Sequence, residues 1–491
     1  MLNFARPFGP ILLLAPLALF GACKSTGDTE LDTEDSAGQV DSDNTGEPTW
    51  EEARPIIQAR CSRCHSAHRL STYKRLETYQ DVMALRPNIL DKLKTEPPRG
   101  LRMPVASNHE GGCAPEHTAI NDKRVTEDEL DTLRAFLQRT DHQDYVDTFE
   151  PLTPPVVPEL ADSIAYTSSP FEVLNDGFLE DPNGGGGYME EYDYDQREYD
   201  QMEDDWFCIR FNPERSEAGY LTGLQAETAS GQLHLNAQMV IDTTGASAAA
   251  QSAAEEKGSD WYRCDAGLNF SDAIPLWRTV PGGEAVELPE GTGLRFEPGW
   301  TFVMRVDFHT HFDAEEFNKL EQDGVIDYDA GTMTWFNQAT LRAQWAQPED
   351  ISRELQWTSV GPSTEQERAA FEVAPGASTL RFSQSLPGLA EQYKVFSAEL
   401  GMGKNGHTAS LVDSDATTCI ANNGDFNPKW IEQTVYGEQD APELAGDSSL
   451  ELSCEYKNGT EEAVLWGPEN EAAVWGRKER CNAVVFFYES L

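Results

Sequence analysis

Cys61-Ser62-Arg63-Cys64-His65 sets two thiols three positions apart with a histidine directly behind them. That is the attachment signature of a c-type haem. Each cysteine adds across one haem vinyl group, and the adjacent imidazole reaches the iron as its proximal ligand. A Cys-x-x-Cys pair alone also suits half a zinc site or a redox dithiol, and the immediate histidine favours haem. The flanks read as helices. Trp50 to Arg60 leads in as a short amphipathic helix, and Thr126-Glu127-Asp128-Glu129 is a capping box ahead of Leu130, Leu133, Phe136 and Leu137 at helical spacing. Residues 49–145 are therefore expected to form a small all-α domain holding one covalent haem c.

The second axial ligand should lie between those helices. Met103, in Arg102-Met103-Pro104, is the expected distal ligand, because a thioether presented on a loop raises the potential of the iron. Met83 competes, but Tyr79, Val82 and Met83 share a helical run in which methionine is more often plain core. His68, His109, His117 and His142 stand in polar surroundings and read as surface residues.

Residues 1–23 carry Arg6, an apolar run from Ile11 to Phe20, and the end Gly21-Ala22-Cys23. The run is too short to span a bilayer and reads as a cleaved signal peptide. Small residues directly before a cysteine resemble the bacterial lipoprotein cleavage box, which would make Cys23 the lipidated N-terminus. Residues 24–48 are rich in Ser, Thr, Asp, Glu and Gly and cannot bury enough surface to offset their ordering entropy, so they read as a disordered acidic linker. Lys24 after the cysteine implies an outer-membrane lipoprotein, periplasmic or surface-exposed, attached to the membrane through its lipid anchor only.

The net charge of −48 argues against a nucleic-acid partner. Of nine cysteines, Cys23 goes to lipid and Cys61 and Cys64 to haem. Cys113, Cys208, Cys264, Cys419, Cys454 and Cys481 remain, an even set suited to an oxidising compartment, with their pairing open.

Pro151-Leu152-Thr153-Pro154-Pro155-Val156-Val157-Pro158 is a stiff stretch inside a linker over 146–165. An acidic, Gly- and Tyr-rich insertion spans 176–205. Beyond Trp206 the pattern becomes short alternating strands with Gly/Pro turns: Trp206–Phe211, Gly231–Ile241, Trp300–Phe308, Thr379–Ser383 and Ala483–Tyr488. The chain is thus expected to be multidomain. A small all-α cytochrome c domain would precede two all-β sandwich (jelly-roll-like) domains, over 166–347 and 348–491.

Residues 52–57, the haem motif, Thr78-Tyr79-Gln80-Asp81 and Arg102-Met103-Pro104 together resemble a cytochrome c module of exported bacterial proteins. In that group the module commonly precedes a copper type II, ascorbate-dependent monooxygenase-like region. Trp206-Phe207-Cys208, Trp261 to Gly267, Leu288 to Gly293, Phe302 to Val306, Val373 to Gly376, Lys394-Val395-Phe396 and Leu452 to Asn458 resemble, in order, pieces of the peptidylglycine and dopamine hydroxylase family. The resemblance implies one copper in each sandwich and a disulfide between Cys454 and Cys481. The residues at the donor positions do not comply. Ala237-Gln238-Met239-Val240 and Asp307 stand where the first sandwich should carry histidines. Gly401-Met402-Gly403 replaces a His-x-His, and Arg480 replaces a methionine. His309 and His311 alternate on one strand face and form a weak candidate metal pair, with His234 or Asp307 as possible partners.

Copper is therefore not expected, and no catalytic residue is assigned. The expected function is electron transfer by a membrane-anchored c-type haem protein whose degenerate monooxygenase-like region serves as a docking scaffold for an unidentified redox partner protein. The alternatives are an active copper- and haem-dependent monooxygenase, and a non-redox surface binding protein.

Overall fold

Strands Gln392–Met402 and Cys481–Glu489 run antiparallel side by side and are buried on both faces. Tyr393, Val395, Ala398, Leu400, Ala483, Val485 and Phe487 point into one apolar core. Phe396, Phe486 and Tyr488 point the other way, into a second core. Alternation, shifted once by a bulge between Val395 and Ser397, divides the side chains between two cores, and the pair consequently reads as an almost unbroken apolar run.

The computed structural model describes residues 48–62, 65, 75–93, 113, 125–139, 149–153, 156–169, 171–174, 205–228, 234–256, 260–264, 273–279, 285–308, 332–335, 338–386, 388, 391–403, 405–414, 418–424, 426, 431, 433–459, 461–467 and 478–490. The signal-like segment, Cys23 and the acidic linker fall outside these, as do Cys64, Met103, His309, His311 and nearly all of the 176–205 insertion. Residues 47–491 form one compact unit, rich in β-structure and built in several layers.

The second core lies between two facing sheets. One has the order Ile164–Thr167, Ala339–Ala346, Gly219–Thr228, Thr292–Phe296, Arg353–Glu354, with Val286–Glu287 also paired to Gly219–Thr228. The other has the order Tyr262–Arg263, Asp205–Phe211, Thr301–Phe308, His234–Asp242, Ile274–Thr279. Phe207, Ile209 and Phe211 enter the core from one strand, and Phe302, Met304 and Val306 from its neighbour. The alternate residues Cys208, Val240 and Val303 face outward, under a helix at Ala246–Glu255. The start of that helix is fixed by Asp242, whose carboxylate accepts from the backbone and hydroxyls of Thr244 and Ser247.

The first core lies between the doubly buried sheet and a second one. The doubly buried sheet is completed by Gln356–Val360, Thr434–Val435 and Glu443–Ala445. Facing it is a sheet ordered Gly376–Ser385, Ser449–Asn458, Gly406–Asp413, Thr418–Asn423. Each of the five stretches expected to be strands overlaps a strand here, Gly231–Ile241 from His234 onward and Trp300–Phe308 from Thr301 onward. The first sheet also takes in Arg353–Glu354, past residue 347, and Leu355 belongs to its core.

Where the two layered pairs meet, Arg278 is 1 % exposed and its Nε sits 3.0 Å from Glu399 Oε1. Gln433 accepts from the Arg278 backbone and donates to Ser397 Oγ. Arg353 closes the same seam, pairing with Glu438 at 2.7 Å and stacking over the Tyr488 ring at 4.7 Å.

Between residues 50 and 138 the described elements are helices: α1 (Trp50–Arg60), α2 (Tyr79–Ala84), α3 (Arg86–Lys92) and α4 (Glu127–Gln138). The expected capping box is present, with Thr126 N donating to Glu129 and Glu129 N to Thr126 Oγ1. Trp50, Tyr79 and Phe136 form an aromatic knot with centroids 5.6 to 6.3 Å apart. Around it pack Ala53, Ile57, Val82, Leu130, Leu133 and Leu137.

Glu399→Ala should destabilise the chain by about 3–5 kcal/mol, because it strands a buried guanidinium. The double substitution Arg278→Met with Glu399→Leu should cost far less. Urea unfolding of the two proteins measures the difference.

Candidate functional site

The Cys-x-x-Cys-His motif begins where α1 stops. Cys61 N and Ser62 N both donate to Ile57 O, and Ser62 Oγ donates to Gln58 O at 2.6 Å, which tightens the last turn. His65 N then donates to Cys61 O, and Leu76 N, shortly before α2, donates to His65 O. Cys61 and His65 therefore stand four residues apart across a single turn, both half-buried. Cys61 packs at the edge of the helical core, and so do Met83, Leu85, Ile89 and Leu90. Cys64 and the expected distal ligand Met103 lie outside the described residues.

One further residue holds this segment, and no sequence motif marked it for that purpose. Glu129, the capping residue of α4, also receives Arg60 Nε at 3.1 and 3.2 Å and Nη2 at 3.1 Å. A single carboxylate thus closes the first turn of α4 and fastens the last turn of α1, directly before Cys61. Only the capping half of that role is visible in a sequence.

The fold brings the positions singled out for copper donors close together in each layered pair. In the first, Gln238 lies opposite Arg305, which is fully buried, with Nη1 3.4 Å from Gln238 Oε1. A permanent cation at that place opposes metal binding. In the second, Met402 lies opposite Cys481, and Arg480 Nε donates to Met402 O at 3.1 Å. The adjacent Glu479 is almost fully buried and accepts from Gly403 N at 2.8 Å and from Asn405 N and Nδ2. Gly403 is required there, since a Cβ would come 2.5 Å from Glu479 Oε2. Glu479 went unnoticed in the sequence because a single carboxylate before an arginine carries no pattern.

Burial raises the Glu479 carboxyl to about 6, although hydrogen bonds from Asn405 and Gly403 and the nearby Arg480 pull it down. The Tyr456 phenol, which donates to Arg480 O at 2.6 Å, is raised by burial and then by the Glu479 charge. Hydrogen bonds and charges satisfied within the protein thus occupy this spot. Among the described residues, no cluster of three or more His, Cys, Asp or Glu side chains is placed to hold a metal ion.

Among the described residues there are three disulfides. Cys454–Cys481 joins neighbouring layers of the second pair, as the resemblance implied. Cys208–Cys264 closes the outer face of the first pair. Cys113–Cys419 spans 306 residues and ties the segment between α3 and α4 to strand Thr418–Asn423.

No family model matches this chain, and no curated protein matches it. Among solved structures, the VP2 subviral particle of infectious bursal disease virus is similar at 10% identity, with a TM-score of 0.15, over 58% of this chain and 64% of that one. The chain thus spans just under two thirds of the length of that capsid protein. Vicilin from hazelnut (Corylus avellana) is similar at 7% identity and a TM-score of 0.09, over 54% of this chain and 74% of that one. An oxalate decarboxylase is similar at 11% identity and a TM-score of 0.10, over 54% of this chain and 71% of that one. Likenesses this slight carry no argument about fold or function.

A carboxyl with a folded pKa above its unfolded value binds its proton more readily in the folded state. Against an ordinary value of 4.5, the contribution of Glu479 is full below pH 4.5 and is lost as pH rises through about 6. Urea midpoints across that window should show this decline, and Glu479→Gln should flatten it while lowering stability by about 1–3 kcal/mol.

Proposed function

We propose that this chain is an exported, lipid-anchored c-type haem protein that transfers electrons. Its layered β region would be a copper-monooxygenase-like scaffold that has lost its metal donors and serves for docking. Cys61 and Cys64 would hold one haem c through thioethers, His65 would be the proximal ligand and Met103 the distal one. Bound there, a haem supplies one-electron redox chemistry. Cys23 would carry the lipid, placing the protein on the outer membrane with its folded part on the periplasmic or external side. The redox partner would be another protein.

The observation that carries this reading is the turn at the end of α1. It sets Cys61 and His65 on one short, hydrogen-bonded segment beside an apolar edge. The chain's own residues do three things there. The Ile57 carbonyl receives two amides and stops the helix at Cys61. Glu129 and Arg60 hold that stop against α4. Met83, Leu85, Ile89 and Leu90 offer the kind of apolar wall that a macrocycle packs on. Two thiols suit covalent attachment to the haem vinyl groups, and an imidazole with a thioether suits the iron.

The degenerate character of the β region is supported by Arg305 lying opposite Gln238, by Arg480 at the expected methionine position and by Glu479 beside it. Each of these side chains is held by polar partners within the protein. The bridge Cys454–Cys481 remains, as it would in a scaffold kept for its shape.

Metal analysis of protein expressed in a haem-maturing, exported system tests the proposal. One iron and no copper per chain is expected, and about two coppers per chain would overturn it. Met103→Ala should abolish the methionine–iron charge-transfer absorption, and an unchanged spectrum would exclude Met103 as ligand.

A further inference from the structure

One polar sheet face is buried where a free sandwich surface would be wet. In the sheet Gly376–Ser385, Ser449–Asn458, Gly406–Asp413, Thr418–Asn423, the side chains away from the core form cross-strand rows, such as Thr379, Glu455 and Thr408, or Arg381, Ser453 and Ser410. Exposure falls steeply along each row. Thr379, Arg381 and Ser383 are exposed, and Glu451, Ser453 and Glu455 are half-buried. At the far end Thr408, Ser410, Cys419 and Asn422 are only 2 to 8 % exposed. Hydroxyls and amides are not buried in this way by their own sheet, so a covering segment must lie on that end.

The chain itself names the occupant. Cys113 is bonded to Cys419, and its Sγ lies 3.8 Å from Ala421 O and 3.9 Å from Leu411 O, over the seam between the two buried strands. The helical region is also fastened at its other end. Arg54 Nη2 donates to Glu150 O, Leu152 N donates to Glu77 O, and Leu152 is buried in the helical core. A few residues on, Leu160 N donates to Gln225 Oε1 and Gln225 Nε2 to Pro158 O, on the first layered pair.

We infer that the hairpin Gly406–Asn423 is an intramolecular docking surface for the helical region, occupied through Cys113 and locked by the Cys113–Cys419 bridge. The helical region is then held as one body with both layered pairs and does not swing on its linker. This inference is independent of whether the helices carry haem. A partner that approaches Cys113 must also accommodate the hairpin of the second layered pair.

Two measurements on the full chain test it. Disulfide mapping of the monomer without reduction should return a peptide joining Cys113 to Cys419 within one chain. Free thiols at both positions, or a bridge between two copies, would overturn the inference. Hydrogen exchange of the Cys113→Ser, Cys419→Ser double variant should be roughly tenfold faster across 406–423, with 449–458 unchanged. Unchanged exchange in the hairpin would overturn the inference that the bridge locks this surface. Should the double variant fail to fold, the mapping experiment alone still decides between the outcomes.

Discussion

The structure depends on one sheet having two cores to serve. Strands Gln392–Met402 and Cys481–Glu489 bury Val395, Leu400, Val485 and Phe487 on one side and Phe396, Phe486 and Tyr488 on the other. Such a sheet cannot slip by one residue without exchanging the contents of both cores. The neighbouring layers are thereby held in register, and the Arg278–Glu399 pair adds a polar key inside the seam. Buried ion pairs contribute little net stability compared with apolar packing, because desolvation offsets their attraction. The value of this one lies in rejecting alternative packings, since any slide would bury two unpaired charges.

The same logic explains how the turn before Asn405 keeps its shape. Backbone amides and carbonyls buried at a turn need partners. Glu479 takes up the amides of Gly403 and Asn405, and Arg480 takes the carbonyl of Met402. These contacts connect a turn to a strand. The local geometry is maintained by hydrogen bonds that any aqueous compartment permits.

Much of the architecture was legible because it rests on local periodicity. Thr126 and Glu129 announced the start of α4, and the alternation in Phe207-Cys208-Ile209-Arg210-Phe211 announced a strand with one apolar face. The residues that join distant parts were not legible, for a physical reason. Glu129 reaching Arg60, Glu399 reaching Arg278 and Cys113 reaching Cys419 are separated by 69, 121 and 306 positions. Nothing in the neighbourhood of either partner encodes the other. Cys454 and Cys481 were anticipated only because a family resemblance supplied their pairing. Met103, Cys64, His309 and His311 lie outside the described residues, so the ligand set remains a reading of sequence.

The long bridge carries a consequence for how the chain matures. The three disulfides close spans of 27, 56 and 306 residues. A polypeptide made N-terminus first presents Cys113 to oxidants long before Cys419 exists, and Cys208 and Cys264 emerge in between. Pairing in order of appearance would join Cys113 to Cys208. The native pattern therefore calls for either a delay in oxidation or later thiol–disulfide exchange. Faithful production of this protein becomes a question of disulfide isomerisation as much as of folding, and a host rich in isomerase is the suitable place to make it.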